Sequence, residues 1–241
     1  AGIIGGIGPE STIDYYRLIL SRYRERRPDG TAPSILINSV DIQQIIDAMT
    51  AGDFPRVTEY VLPELARLAA AGASFGALAA NTPHVVFDDL AARCSLPLIS
   101  IVEETCRAAK SHGFKNVGLF GTRFTMEGSF YPAVFSREGI RISVPPPEER
   151  AYIHDKYMGE LVPGQFLAET RQSFVSIARR LSESAGIEGL VLGGTELPLL
   201  LRDGSVAGVP VLDTTRIHVE AIVDALLRED PVTRSAGPAS R

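Results

Sequence analysis

Gly2-Ile3-Ile4-Gly5-Gly6-Ile7-Gly8-Pro9-Glu10-Ser11-Thr12 joins an apolar run directly to a glycine-rich one. The β-branched residues Ile3 and Ile4 suit a buried strand, whereas glycine permits the tight backbone turns that larger residues resist. Ser11 or Thr12 offers a hydroxyl to cap a helix over residues 13–26, where apolar positions recur at helical spacing. A strand that passes through a glycine loop into a helix is the first half of a strand-helix-strand unit.

Working outward, the pattern repeats. Residues 34–40 form a short β-branched run suited to an interior strand, and residues 63–71 predict a helix that stops near Gly72. Ala77-Leu78-Ala79-Ala80 predicts a third strand, ending in Asn81-Thr82-Pro83-His84 before a helix through Ala92, and residues 98–101 predict a fourth. After a helix over residues 103–111, a second round begins. It comprises a strand and glycine turn at 117–122, a strand at 141–144, helix over 165–186 and a strand at 190–193 that runs into Gly194-Thr195-Glu196-Leu197.

This alternation predicts an α/β fold with two pseudo-symmetric lobes, each a parallel sheet flanked by helices, and a cleft between them. The expected lobes are residues 1–103 plus 213–241 and residues 104–212, with a C-terminal helix over 217–227 returning to the first lobe. Residues 230–241, rich in Pro, Ser, Gly and Ala, are expected to fray.

Composition narrows the function. The 241 residues are 45% hydrophobic, enough for a sizeable core. A net charge of -5, with 24 basic and 29 acidic residues spread along the chain, leaves no basic stripe for nucleic acid. No apolar run approaches the ~18 residues of a membrane span, and the opening residues lack the pattern of a secretory signal, so a cytoplasmic location is expected. Cys94 and Cys106 are expected to be reduced and structural, and the four histidines and two cysteines show no ligand spacing for a metal.

Three segments, in this order, resemble the aspartate/glutamate racemase superfamily: residues 5–12, Asn81-Thr82-Pro83-His84, and Gly193-Gly194-Thr195-Glu196-Leu197. Ile101-Val102-Glu103-Glu104-Thr105 and residues 121–127 extend the resemblance over nearly the whole chain, and residues 10–19, 121–127 and 213–218 are most similar to the bacterial broad-specificity branch. The resemblance implies no pyridoxal phosphate and no metal, a small carboxylate or amino-dicarboxylate substrate, and a homodimer. It also implies one acid/base group on each face of the substrate's α-carbon, usually a cysteine before Asn-Thr and another before Thr-Glu. A thiol suits that task because its pKa, near ~8.5, is readily lowered.

Here those two positions are Ala80 and Gly194, and neither can move a proton. The remaining candidates for proton transfer are Glu196 and His84, followed by His218 and Asp41 near strand ends. Gly8, Ser11, Asn81, Thr82, Thr122 and Thr195 stand at strand-to-helix turns, where N–H groups and short polar side chains favour a carboxylate. Loss of both thiols directs the expectation away from racemisation, toward elimination, decarboxylation or isomerisation next to a carboxylate. The alternatives are an amino-acid racemase that uses other acid/base residues or is an inactivated variant, and a non-catalytic carboxylate-binding protein.

Overall fold

The computed structural model describes residues 1–229, so residues 230–241, expected to fray, lie outside the described residues. Two sheets organise the chain. In the first, β1 (Gly2–Gly5), β2 (Leu36–Ser39), β3 (Gly76–Leu78) and β4 (Leu98–Ile99) run parallel in the order β2-β1-β3-β4. In the second, β5 (Asn116–Gly121), β6 (Arg141–Ser143), β7 (Gly189–Gly193), β8 (Ser205–Val206) and β9 (Val209–Asp213) take the order β6-β5-β7-β9-β8, with only β8 antiparallel to its neighbour.

Helices cover both sheets. The first lobe carries α1 (Pro9–Arg26), α2 (Ile42–Thr50), α3 (Phe54–Ala70) and, after a 3-10 turn at Thr82–Val86, α4 (Phe87–Arg93). Next come α5 (Ile101–Ser111), α6 (Arg123–Glu127), α7 (Phe130–Arg137) and α8 (Pro147–Lys156), which widens into a π-turn at Tyr157–Leu161. The last three are α9 (Ala168–Ala185), α10 (Leu197–Leu200) and α11 (Thr214–Glu229). Val219, Ile222, Val223 and Leu226 of α11 pack with Tyr15, Ile19 and Tyr23 of α1 in one buried cluster.

Several boundaries differ from the sequence reading. Helix α1 starts at Pro9, and Gly8 rather than Ser11 or Thr12 stands at its N-cap. Proline at the first helical position carries a preset φ and lacks an N–H that would be unpaired there anyway. Ser11 is thereby buried inside the first turn, and Thr12 Oγ1 instead accepts the Gly6 N–H at 2.9 Å. Helix α3 begins at Phe54, capped by Asp53, and continues through Pro63. Its buried stripe of Val57, Val61, Leu65 and Leu68 outweighs the one hydrogen bond that the proline removes. The sequence reading did not delimit α2, α6, α7 or α8, all short elements in the segments between strands.

His84 and His218, expected as candidate proton-transfer groups, are core residues. His84 Nε2 accepts the Ile101 N–H at 3.2 Å, and its ring stacks on Phe87 with centroids 5.0 Å apart. Burial, followed by the neighbouring His218, lowers its pKa to about 3. His218 Nε2 donates to the Ile99 carbonyl at 3.0 Å, so Nδ1 accepts the Tyr15 hydroxyl at 2.8 Å. Burial lowers the His218 pKa to about 4.

Both histidines are neutral when folded and must charge when the chain unfolds near its ordinary pKa of about 6.5. Their contribution is therefore fully present above pH 6.5 and declines as pH falls toward the folded values. Denaturant unfolding is expected to show constant stability from these groups at neutral pH, then a loss of about 2 kcal/mol per histidine by pH 5. His154, also held down by partial burial, acts in the same direction. A stability curve that stays flat from pH 7 to pH 5 would contradict the neutral assignment.

Candidate functional site

The carboxyl ends of β1, β3, β5 and β7 face one another across the two lobes, the place where parallel sheets gather ligands. A cavity partly open to solvent lies there. It is lined from the first lobe by Ala80, Asn81 and Thr82, and from the second by Thr122, Thr195 and Glu196.

Glu196 is the centre of the polar network. Its side chain is buried, and Ser11 Oγ donates to Oε1 at 2.7 Å across the lobe boundary. Thr195 Oγ1 donates to Oε2 at 3.2 Å and stands 2.6 Å from Ser11 Oγ, while Tyr157 donates its phenolic proton to Oε2. A carboxylate taken out of water requires such donors. Gly8 makes the approach possible, because a Cβ there would stand 2.3 Å from Glu196 Oε1 and 3.0 Å from Ser11 Oγ. Gly8 and Ser11 thus lie behind Glu196, supporting it, and do not line the cavity.

Tyr157 was not singled out in the sequence. A Cβ on Gly194 would meet its ring at 2.5 Å and its hydroxyl at 2.6 Å, so the tyrosine occupies the volume that any side chain at position 194 would need. Burial and then the Glu196 charge raise the Tyr157 pKa well above the usual phenol value, although the Glu196 N–H and the Thr195 hydroxyl pull it back. The resting phenol is a proton donor. Residues 148–164, whose relation to the cleft the sequence left open, supply Tyr157, Met158 and Val162 to the cavity wall.

The opposite wall is different in kind. Ala80 presents only a methyl group. Asn81 Oδ1 accepts the Tyr131 hydroxyl at 2.6 Å and its Nδ2 donates to Thr214 Oγ1 at 3.1 Å, which in turn donates to the Leu192 carbonyl at 2.8 Å. Those bonds fix the Asn81 amide as a brace between the lobes. The Thr82 hydroxyl lies 3.2 Å from that of Thr122 and 3.3 Å from that of Thr125, so three hydroxyls cluster across the cleft. Thr122 also caps α6 through the Thr125 N–H.

The other sequence candidates fall elsewhere. Asp41 is an exposed N-cap whose carboxylate accepts the Gln43 N–H at 2.9 Å, and His84 and His218 are held in the core by the bonds described above. Cys94 and Cys106 are free thiols outside the cavity. Among the described residues no group of three or more His, Cys, Asp or Glu side chains is placed to hold a metal ion, and no helix is long and apolar enough to cross a membrane.

The family profile described as Asp/Glu/Hydantoin racemase matches residues 4–222. A crystal structure of a candidate Asp/Glu racemase from Yersinia pestis superposes with a TM-score of 0.85 at 34% identity, covering 94% of this chain and 98% of that one. An aspartate racemase homologue from Pyrococcus horikoshii OT3 gives 0.80 at 32% identity, over 94% and 98%. In sequence, the broad specificity amino-acid racemase RacX of Bacillus subtilis (strain 168) is 22% identical over 94% of this chain and 97% of its own length.

The packing of Tyr157 against Gly194 has a direct consequence for stability. Gly194→Cys should lower it by about 1–3 kcal/mol in denaturant unfolding, since the new side chain enters filled space. Adding Tyr157→Ala to that variant should recover part of the loss, and additive losses in the double variant would sink the packing argument.

Proposed function

Since the chain belongs to the Asp/Glu/Hydantoin racemase family, we propose that it is an enzyme that moves a proton at the carbon beside a substrate carboxylate, from one face only, through Tyr157 and Glu196. The observation that carries this reading is the asymmetry of the cleft. One wall holds a phenol hydrogen-bonded to a buried carboxylate, and the other, at Ala80, holds a methyl group.

The chemistry follows from the pair. A substrate carboxylate seated among the turns of Asn81, Thr82, Thr122 and Thr195 places its α-carbon between the walls. As the Cα–H bond breaks, the Tyr157 oxygen takes that proton while its own passes to Glu196 Oε2, and the electron pair left on carbon spreads into the substrate carboxylate. Running the relay backwards returns a proton to the same face. The Glu196 N–H beside the phenolic oxygen opposes the cost of charge building there. A site with one such relay fits isomerisation, elimination or decarboxylation beside a carboxylate. Inversion of a centre needs a second proton carrier on the far face, which Ala80 cannot be.

Racemisation is the second reading, and what favours it is kinship with proteins named as racemases, RacX among them. Solvent deuterium separates the two. In D2O, a one-faced enzyme should place deuterium on the α-carbon of an accepted acid with retention of configuration, whereas a racemase should incorporate it with inversion. Tyr157→Phe and Glu196→Gln should each slow the exchange by about 10²–10⁴-fold. Exchange with inversion, or exchange indifferent to both substitutions, would reject the one-faced relay.

A further inference from the structure

Beyond its polar end, the cavity is walled by apolar side chains. Ile42, Ile45, Ile46 and Met49 recur at positions i, i+3, i+4 and i+7 of α2, so a single helix face is turned to the cavity. Phe124, at the start of α6, and Met158 and Val162, from the turn after α8, close the facing side. Ile42, Ile46, Phe124, Met158 and Val162 are each only half-buried, so their remaining surface is free to meet a ligand.

The charges are as informative as the apolar surface. Among the described residues no lysine, arginine or histidine lines the cavity, and Glu196 is its one ionisable carboxyl group. One substrate carboxylate can be received by hydroxyls and N–H groups at the turns. A second would be pressed against isoleucine, methionine and phenylalanine with no cation, an arrangement that burial penalises heavily.

We infer that the substrate is a carboxylic acid bearing an apolar arm, aliphatic or aromatic, and not a dicarboxylate; this rests on reading the cleft as the active site. The carboxylate sits at the threonine turns, the α-carbon stands under Tyr157, and the arm lies along the face of α2. Specificity on this account comes from Ile42, Ile46, Phe124 and Val162, and the proton relay is indifferent to what fills them.

Calorimetric titration of the purified protein tests this without requiring turnover. Unbranched monocarboxylates of increasing length should bind about fourfold more tightly per added methylene until the arm is filled. Succinate, glutarate and L-aspartate should bind at least about tenfold more weakly than monocarboxylates of equal chain length. Equal or tighter binding of the dicarboxylates, no dependence on chain length, or no binding by any acid would overturn the inference. Ile46→Arg should reverse the order by offering a cation to the second carboxylate, and Val162→Lys does the same from the facing wall if the first variant fails to fold. The order of affinities should persist in Tyr157→Phe, in which proton exchange is lost. Persistence of the order in the unsubstituted protein, if that protein exchanges no proton, supports this assignment while rejecting the relay, and exchange on aspartate with no length dependence rejects this assignment alone.

Discussion

A buried carboxylate shared between the two lobes governs the architecture of the site. Glu196 leaves the end of β7 and takes hydrogen bonds from Ser11 of α1, from its neighbour Thr195 and from Tyr157 after α8. An ionised group withdrawn from water tolerates so little freedom that each of those donors must stand where it does. Its demand reaches into the backbone: Gly8 has no side chain because a Cβ would collide with the Glu196 carboxylate.

The same carboxylate is reached by Tyr157, which packs on Gly194. With glycine at 194 the wall beside Glu196 has a hole, and the aromatic ring of Tyr157 fills it and brings a hydroxyl within reach of the carboxylate. Beside Ala80 the neighbouring polar groups are engaged with one another and with the second lobe. Asn81 braces Tyr131 to Thr214, and Thr82 joins the hydroxyl cluster with Thr122 and Thr125. On the reading proposed above, the cleft is one-sided in chemistry while two-lobed in form.

Much of this was legible in the chain. The glycine loops after β1 and β5 and the Thr-Glu turn after β7 announced themselves through strand-like runs that stop at glycine, and such runs have few alternative structures. The family resemblance that their order carries implied Ala80 and Gly194 at the cleft with Glu196 beside them. Helix α3 was read too short because Pro63 looks like a start when only local rules apply, and α1 too short because a capping hydroxyl seemed a better start than Gly8. His84 and His218 resembled catalytic groups by position alone, since a histidine near a strand end carries no local mark of which way its ring will turn.

The sequence by itself determined the alternation of strands and helices, the two-lobed α/β class and the absence of a thiol at both turns, because period, glycine placement and residue identity are local properties. Tertiary structure alone decided that Tyr157 would stand over Gly194, that α2 would line the cavity with isoleucines, and that two histidines would be sealed in the core. These outcomes depend on which distant segments share one volume, Tyr157 and Gly194 being thirty-seven positions apart, and close packing settles that only when the whole chain has folded.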